Sequence, residues 1–184
     1  MATYHHGNLR AALLQAAGEW IEKQGISELS LRETARRAGV SHSAPYRHFP
    51  DRESLLAALA AEGFGLLDEA LANSPDRDKG LGYVEFALAH PQRFRLMFGG
   101  LLRLDDYPEL RGAAERNYQD LQRAFADLGA EAPLVAAASW ALVHGLACLI
   151  LEGHFAGAQR ESGGAAFAAK VLGAVRLARA QRTA

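Results

Sequence analysis

Between residues 41 and 52 the chain gathers side chains that can hydrogen-bond an anionic polymer: Ser41, His42, Ser43, Tyr46, Arg47, His48 and, past Pro50-Asp51, Arg52. Hydroxyls, imidazoles, a phenol and guanidiniums are the groups that contact phosphate oxygens and base edges. On a helix, residues three and four apart share a face, so His42, Ser43, Tyr46 and Arg47 would form one polar surface. Arg52, together with the free N–H groups of a helix opened by Asp51, would add a second phosphate anchor. Two plainer readings stand beside these. His48 can be a solvated residue favoured at a helix C-terminus by the dipole, and Arg36-Arg37 read as a solvated face.

Other chemistries have less to stand on. There is no His-Glu-x-x-His and no Cys/His pair, and His5-His6 is too short for a metal site without partners, so neither metal nor cofactor is expected. No Gly-x-Ser-x-Gly and no glycine-rich phosphate loop occurs, so no enzymatic activity is expected. The lone cysteine, Cys148, sits among Leu146, Ala147, Leu149 and Ile150 and reads as an inert buried thiol. One cysteine excludes an internal disulfide, which suits a reducing cytoplasm, and residues 1–7 hold no apolar stretch of signal-peptide type.

The elements that must position the 41–52 cluster are helical. Leu9, Leu13, Ala16, Ala17, Trp20 and Ile21 recur every three or four residues before Gln24-Gly25. Ser30-Leu31-Arg32-Glu33 is a capping-box pattern, in which serine and glutamate satisfy each other's N–H groups. Gly39-Val40-Ser41 then joins two short helices, the second ending near Phe49-Pro50, with helix-turn-helix dimensions over about residues 30–49. Pro45 falls inside that second helix, where it removes an N–H and should push Ala44 out of α geometry. Further helices are expected from Asp51, over 81–90, from Pro91, and at about 108–128, 132–152 and 164–181. The expected fold is all-α with about nine helices: a DNA-binding domain at 1–52 and a larger domain at 53–184.

Half of the residues (49%) are apolar and only 22% are charged, enough to bury a core. The net charge of −1 excludes a broadly basic nucleic-acid binder. Residues 1–60 hold seven basic and six acidic groups, so binding there must rest on directed contacts. Residues 132–151 lack a formal charge and are long enough to span a bilayer, but Glu131 and Glu152 flank them. They read as a buried helix of a protein with no membrane partner.

Leu31-Arg32-Glu33-Thr34-Ala35-Arg36-Arg37-Ala38-Gly39-Val40-Ser41, followed by Tyr46-Arg47-His48-Phe49-Pro50-Asp51-Arg52-Glu53-Ser54-Leu55-Leu56, closely resembles the TetR-type DNA-binding domain over roughly residues 8–60. The resemblance implies a homodimeric regulator, usually a repressor, that binds double-stranded operator DNA and releases it when a small-molecule effector enters the C-terminal domain. It also implies that Ser41, His42, Ser43, Tyr46, His48 and Arg52 touch DNA, the last three chiefly at phosphates. The C-terminal part resembles the subgroup named for a Trp-His-Gly signature, here Trp140 and His144-Gly145.

Candidate effector contacts are Phe86, Phe94, Met97, Phe98, Leu101, Tyr118, Trp140 and His144, with Gly99-Gly100 as a hinge. Each can equally be plain core, and His144 can be a core histidine bonded to a buried carbonyl. The dimer interface is expected on the last two long helices, where Ala137, Ala141 and Gly145 form a small-residue stripe and Ala165, Ala168, Ala169, Leu172, Val175 and Ala178 a matching face. The alternative function is an α-helical small-molecule-binding protein or enzyme with a vestigial DNA-binding domain.

Overall fold

The computed structural model describes residues 9–75 and 79–180, the last five by backbone only, so His5-His6 and the Ala178 side chain lie outside the described residues. Among the described residues there are nine α-helices and no strand: α1 Leu9–Gln24, α2 Leu31–Arg37, α3 Arg52–Asn73, α4 Lys79–Ala89, α5 Pro91–Phe98, α6 Pro108–Arg123, α7 Ala132–Leu151, α8 Ala156–Ser162 and α9 Gly164–Ala180. The all-α expectation holds, while the membership of the set differs. The segment after Ser41 is no α-helix but a single 3-10 turn, Pro45–Arg47, and α8 is an element the sequence pattern did not mark.

The 3-10 turn follows from Pro45. With no N–H, proline cannot close the α-helical bond to the Ser41 carbonyl; the Ala44 N–H takes that carbonyl instead, at 3.0 Å and only three residues back. Ala44 itself keeps helical angles (φ −62°, ψ −42°), so the expected displacement of the residue before proline does not occur. α6 stops at Arg123, short of the expected Leu128, because a 3-10 stretch Ala126–Glu131 follows and Gly129 turns to φ 55°.

Contacts divide the chain into two compact units, Met1–Gly65 with His90–Arg116, and Leu66–Ala89 with Asn117–Ala184. In the first, α1 packs on α2 and α5. Leu13, Ile21, Leu55, Leu56, Leu59 and Leu96 are fully buried there. Arg93 is buried too. Its Nη1 donates to the Leu59 carbonyl at 3.2 Å and to Glu62 at 2.8 Å; a Cβ at Gly18 would collide with its guanidinium, and one at Gly63 would collide with Met97 and press on the Arg93 stem. The start of α5 is capped from outside. The Glu22 carboxylate accepts the Gln92 and Arg93 N–H groups at 3.0 and 2.9 Å, satisfying two of the orphan donors of that helix end. The other end explains Gly99-Gly100: Gly99 closes α5 on the Arg95 carbonyl, and Gly100 takes φ 71°. The glycine pair is thus a helix terminator.

In the second unit α4 packs on α7 and α9. Within residues 126–151 an 18-residue apolar window has a mean hydropathy of 2.1, yet only 22% of that window is buried in the single chain, so α7 is not the buried helix expected. Ala136, Leu146, Ala147 and Ile150 face inward, while Leu134 is 68% exposed and Ala137, Ala141, Leu142 and Leu149 are also open. On α9, Ala168 and Leu172 belong to the internal core, and Ala169 and Val175 are exposed.

Truncating Glu22 to alanine removes both acceptors from the first turn of α5. The expected loss is about 1–2 kcal/mol, the size of an N-cap deletion, seen as a lower urea midpoint at unchanged slope. A midpoint equal to wild type would show that solvent caps α5 equally well.

Candidate functional site

α2 is held at both ends. Ser30 Oγ accepts the Glu33 N–H at 3.1 Å, and Gly39 (φ 68°) ends the helix with Val40 N–H on the Ala35 carbonyl and Gly39 N–H on that of Arg36. This is the Schellman arrangement, and the positive φ is why glycine stands there. The Glu33 carboxylate is taken by Arg36 (2.6 and 2.8 Å) and Arg37 (2.8 Å), which hold its pKa down to about 2. Arg37 also lies over the Trp20 ring, 3.7 Å from its centroid, so it is no simple solvated residue. The Trp20 indole N–H in turn donates to the Glu28 carbonyl at 3.2 Å.

The segment after α2 is pinned from below and open above. Pro45 and Phe49 are buried, and the Phe49 N–H returns to the Pro45 carbonyl at 2.9 Å. Ser41, His42, Ser43, Tyr46, Arg47 and His48 are all exposed, Tyr46 at 57%. The hydroxyls of Ser41 and Ser43 lie 3.2 Å apart. Six of the seven expected contact residues therefore sit together on one short open segment. Arg52 does not join them. Its Nε donates to the Leu29 carbonyl at 2.8 Å and its Nη2 to that of Ile26 at 2.7 Å, tying the start of α3 to the turn that precedes α2. Asp51 caps α3 by accepting the Ser54 N–H at 2.7 Å and hydroxyl at 2.6 Å, bonds that hold its carboxyl below the ordinary range.

The expected effector residues separate into two groups. Phe94, Met97, Phe98 and Leu101 belong to the first unit, where Phe98 meets Phe64 and Phe94 at ring distances of 5.4 and 5.0 Å, and Leu101 is 56% exposed. Phe86, Tyr118, Trp140 and His144 belong to the second. There a residue the sequence did not single out, Tyr83, joins them: the Trp140 indole N–H donates to Tyr83 Oη at 3.1 Å, which lies 2.9 Å from His144 Nδ1. His144 Nδ1 thus pairs with a phenol. Tyr118 packs on Trp140 at 5.7 Å. Cys148 is half-buried, more open than expected. Tyr83 lies 61 residues from His144, and no local pattern marks so distant a partner.

The indole can only donate, so the phenol accepts from it and has its own proton to give. The arrangement that leaves no donor idle sends that proton to Nδ1 of a neutral His144 carrying its hydrogen on Nε2. Burial acts in the same direction, lowering the His144 pKa from 6.5 and raising that of Tyr83. A depressed histidine value means the stability due to the neutral ring is complete above pH 6.5 and is lost as pH falls through the folded value. Thermal unfolding from about pH 7.5 to about pH 5 should show the wild type losing stability faster than His144→Asn. Parallel curves would mean that His144 titrates as if unfolded.

Comparison with known proteins agrees with this geometry. Residues 13–59 match the description "Bacterial regulatory proteins, tetR family", and residues 77–175, more than half of the chain, match "Tetracyclin repressor-like, C-terminal domain". A Rhodococcus sp. RHA1 protein of unknown function has a similar solved structure, with TM-score 0.74 and 34% identity over 94% of this chain and 97% of that one. The nucleoid occlusion factor SlmA of Aliivibrio fischeri (strain MJ11) is 27% identical over 135 residues, 68% of each protein. An HTH-type transcriptional regulator of Mycobacterium tuberculosis is 34% identical over 67 residues, covering 36% of this chain and 35% of that protein. An open polar reading segment set on a capped helix-turn-helix and continuous with a matched C-terminal region places the chain in the tetR family of bacterial regulatory proteins, as a DNA-binding transcriptional regulator.

Proposed function

We propose that the chain is a cytoplasmic, ligand-responsive repressor, not an enzyme, that binds an inverted-repeat operator as a homodimer. The observation that carries the DNA-binding half is the exposed row Ser41, His42, Ser43, Tyr46, Arg47 and His48 standing on the buried Pro45 and Phe49. A reading segment anchored this way presents its polar groups without first having to order them. Arg52 is assigned a positioning role, since two of its donors already hold backbone carbonyls. The boundary between reading and effector domains is placed near residue 52, and the C-terminal domain in the Trp-His-Gly subgroup.

What supports the homodimer is the open apolar face of α7, with Leu134, Ala137, Ala141 and Leu142, and of α9, with Ala169 and Val175. Contiguous apolar surface of this kind marks an interface, and two helices from each subunit would close a four-helix bundle. For the effector we favour Phe86, Tyr118, Trp140 and His144, with Tyr83, over the first-unit group. A mostly apolar molecule with one or two polar atoms suits aromatic walls around a short hydrogen-bonded chain.

Mobility shift against genomic fragments at about 0.1 M salt should retain a specific set, with a dyad-symmetric footprint and half-sites whole helical turns apart. A hydrogen bond to a charged group contributes about 1.5–3 kcal/mol. Tyr46→Phe and His48→Ala should therefore weaken binding to every sequence by roughly tenfold or more, whereas changes at His42 or Ser43 should alter which sequence is preferred. Equal, sequence-blind losses at all four positions would remove that division. Failure to retain any fragment would favour a vestigial reading domain on a helical binding protein or enzyme.

Ala141→Glu should yield folded monomers in sedimentation, because the residue is exposed in the single chain. An unchanged dimer would move the interface elsewhere.

A further inference from the structure

We propose that the Met1–Gly65/His90–Arg116 unit carries a second ligand site, a cleft between α1, α3 and α6 that takes a small amphiphilic carboxylate. The cleft is open to solvent and offers about 440 Å³, within the range of small-molecule sites, over a floor of buried Leu14, Ala58, Ala61 and Ala113. Its rim carries Arg10, Arg116, Glu62 and Glu109. Both carboxylates already have a cation. Glu62 bonds the buried Arg93 at 2.8 Å, and Glu109 accepts from Arg10 Nη2 at 2.8 and 3.0 Å. Among the described residues no carboxylate stands within ion-pair distance of Arg116. The cleft therefore combines an apolar floor with one uncompensated guanidinium.

Arg10 is a second cation within reach of the same ligand. Its pair with Glu109 is exposed on both sides, 41% and 65%, and exposed pairs contribute little, so a ligand carboxylate can take Arg10 over at small cost. A carboxylate meets a guanidinium through two parallel hydrogen bonds, while an alcohol or an amine gains nothing comparable here. The short alanine side chains leave room for a flat ring or an alkyl chain above them. None of the residues proposed for the effector in the second unit lines this cleft, so the site is separate from that reading.

The test is calorimetric titration of the full chain with 4-phenylbutyrate, and with 4-phenylbutanol as its uncharged counterpart. Wild type should bind the carboxylate saturably and the alcohol at least tenfold more weakly. Arg116→Gln should weaken the carboxylate at least fivefold. Ala11→Phe, which fills the cleft from an exposed position on α1, should abolish binding, and Trp140→Ala should leave it unchanged. Glu109→Gln frees Arg10 and should tighten binding severalfold. Thermal unfolding of each variant confirms that it is folded. Absence of saturable binding up to about 10 mM, equal affinity for the alcohol, or an Arg116→Gln variant that binds as wild type would overturn the proposal. Loss of binding in Trp140→Ala with Ala11→Phe unaffected would overturn it as well, moving the carboxylate to the C-terminal residues.

Discussion

A guanidinium taken out of water fixes the frame of the DNA-reading unit. Arg93 keeps only 8% of its side-chain surface, and a buried charge without partners is among the costliest features a fold can hold. Its demands account for much of the sequence around it. α3 must offer a carbonyl and a carboxylate one turn apart, which Leu59 and Glu62 do. α1 and α3 must lack side chains where the guanidinium and its stem pass, and Gly18 and Gly63 stand there. Its Nε still finds no acceptor, which costs about 1–3 kcal/mol and makes the remaining bonds matter more. Glu22 then orients the residue by capping α5 through the Gln92 and Arg93 N–H groups. Three helices meeting at one ion cannot slide independently, so the reading segment rests on a stiff base.

Charge near the reading segment is used with similar economy. Of the seven cations in the first sixty residues, Arg36 and Arg37 are held by Glu33, Arg10 by Glu109, and Arg52 by two carbonyls. Arg47 remains exposed on the reading segment itself. With so small a net field, affinity for DNA depends on geometry, and the geometry is set by neutral means: a proline, a buried phenylalanine and a glycine at positive φ. Arg52 shows the trade directly. The resemblance assigns its position to a phosphate, yet here the side chain locks Ile26 and Leu29 to α3.

Helix existence and the α2 caps were legible in the sequence because they depend on local chemistry: apolar spacing, Ser30 at an N-cap, Gly39 at a C-terminus. Membership failed where two local rules competed. Apolar spacing and the Ser41 cap place Pro45 inside an α-helix, but without its N–H the chain takes the i→i+3 pattern, and one 3-10 turn is all that forms. α8 escaped because Gly157, Gln159 and Arg160 carry no apolar stripe. The exposed polar row from Ser41 to His48 was legible as a cluster because it lies within eight positions. The effector candidates were not. Aromatics at helical spacing look the same whether they pack on one unit or another, and Tyr83 acquires its role only through His144 and Trp140, 61 and 57 residues away.

α7 shows how much a single helix can be asked to satisfy. Ala136, Ala147 and Ile150 seal the protomer, Trp140 and His144 engage Tyr83, and Ala137 and Ala141 are left open. These stripes lie on one rigid cylinder at 100° per residue, so none can be turned without turning the others. A rotation that changed the Tyr83 hydrogen bonds would equally re-aim the alanine stripe, whose short side chains tolerate little displacement in a close helix pair. In the proposed dimer, then, a molecule that altered the Trp140–Tyr83–His144 chain would act on subunit geometry without a separate relay, because that chain and the alanine stripe lie on neighbouring faces of the same helix.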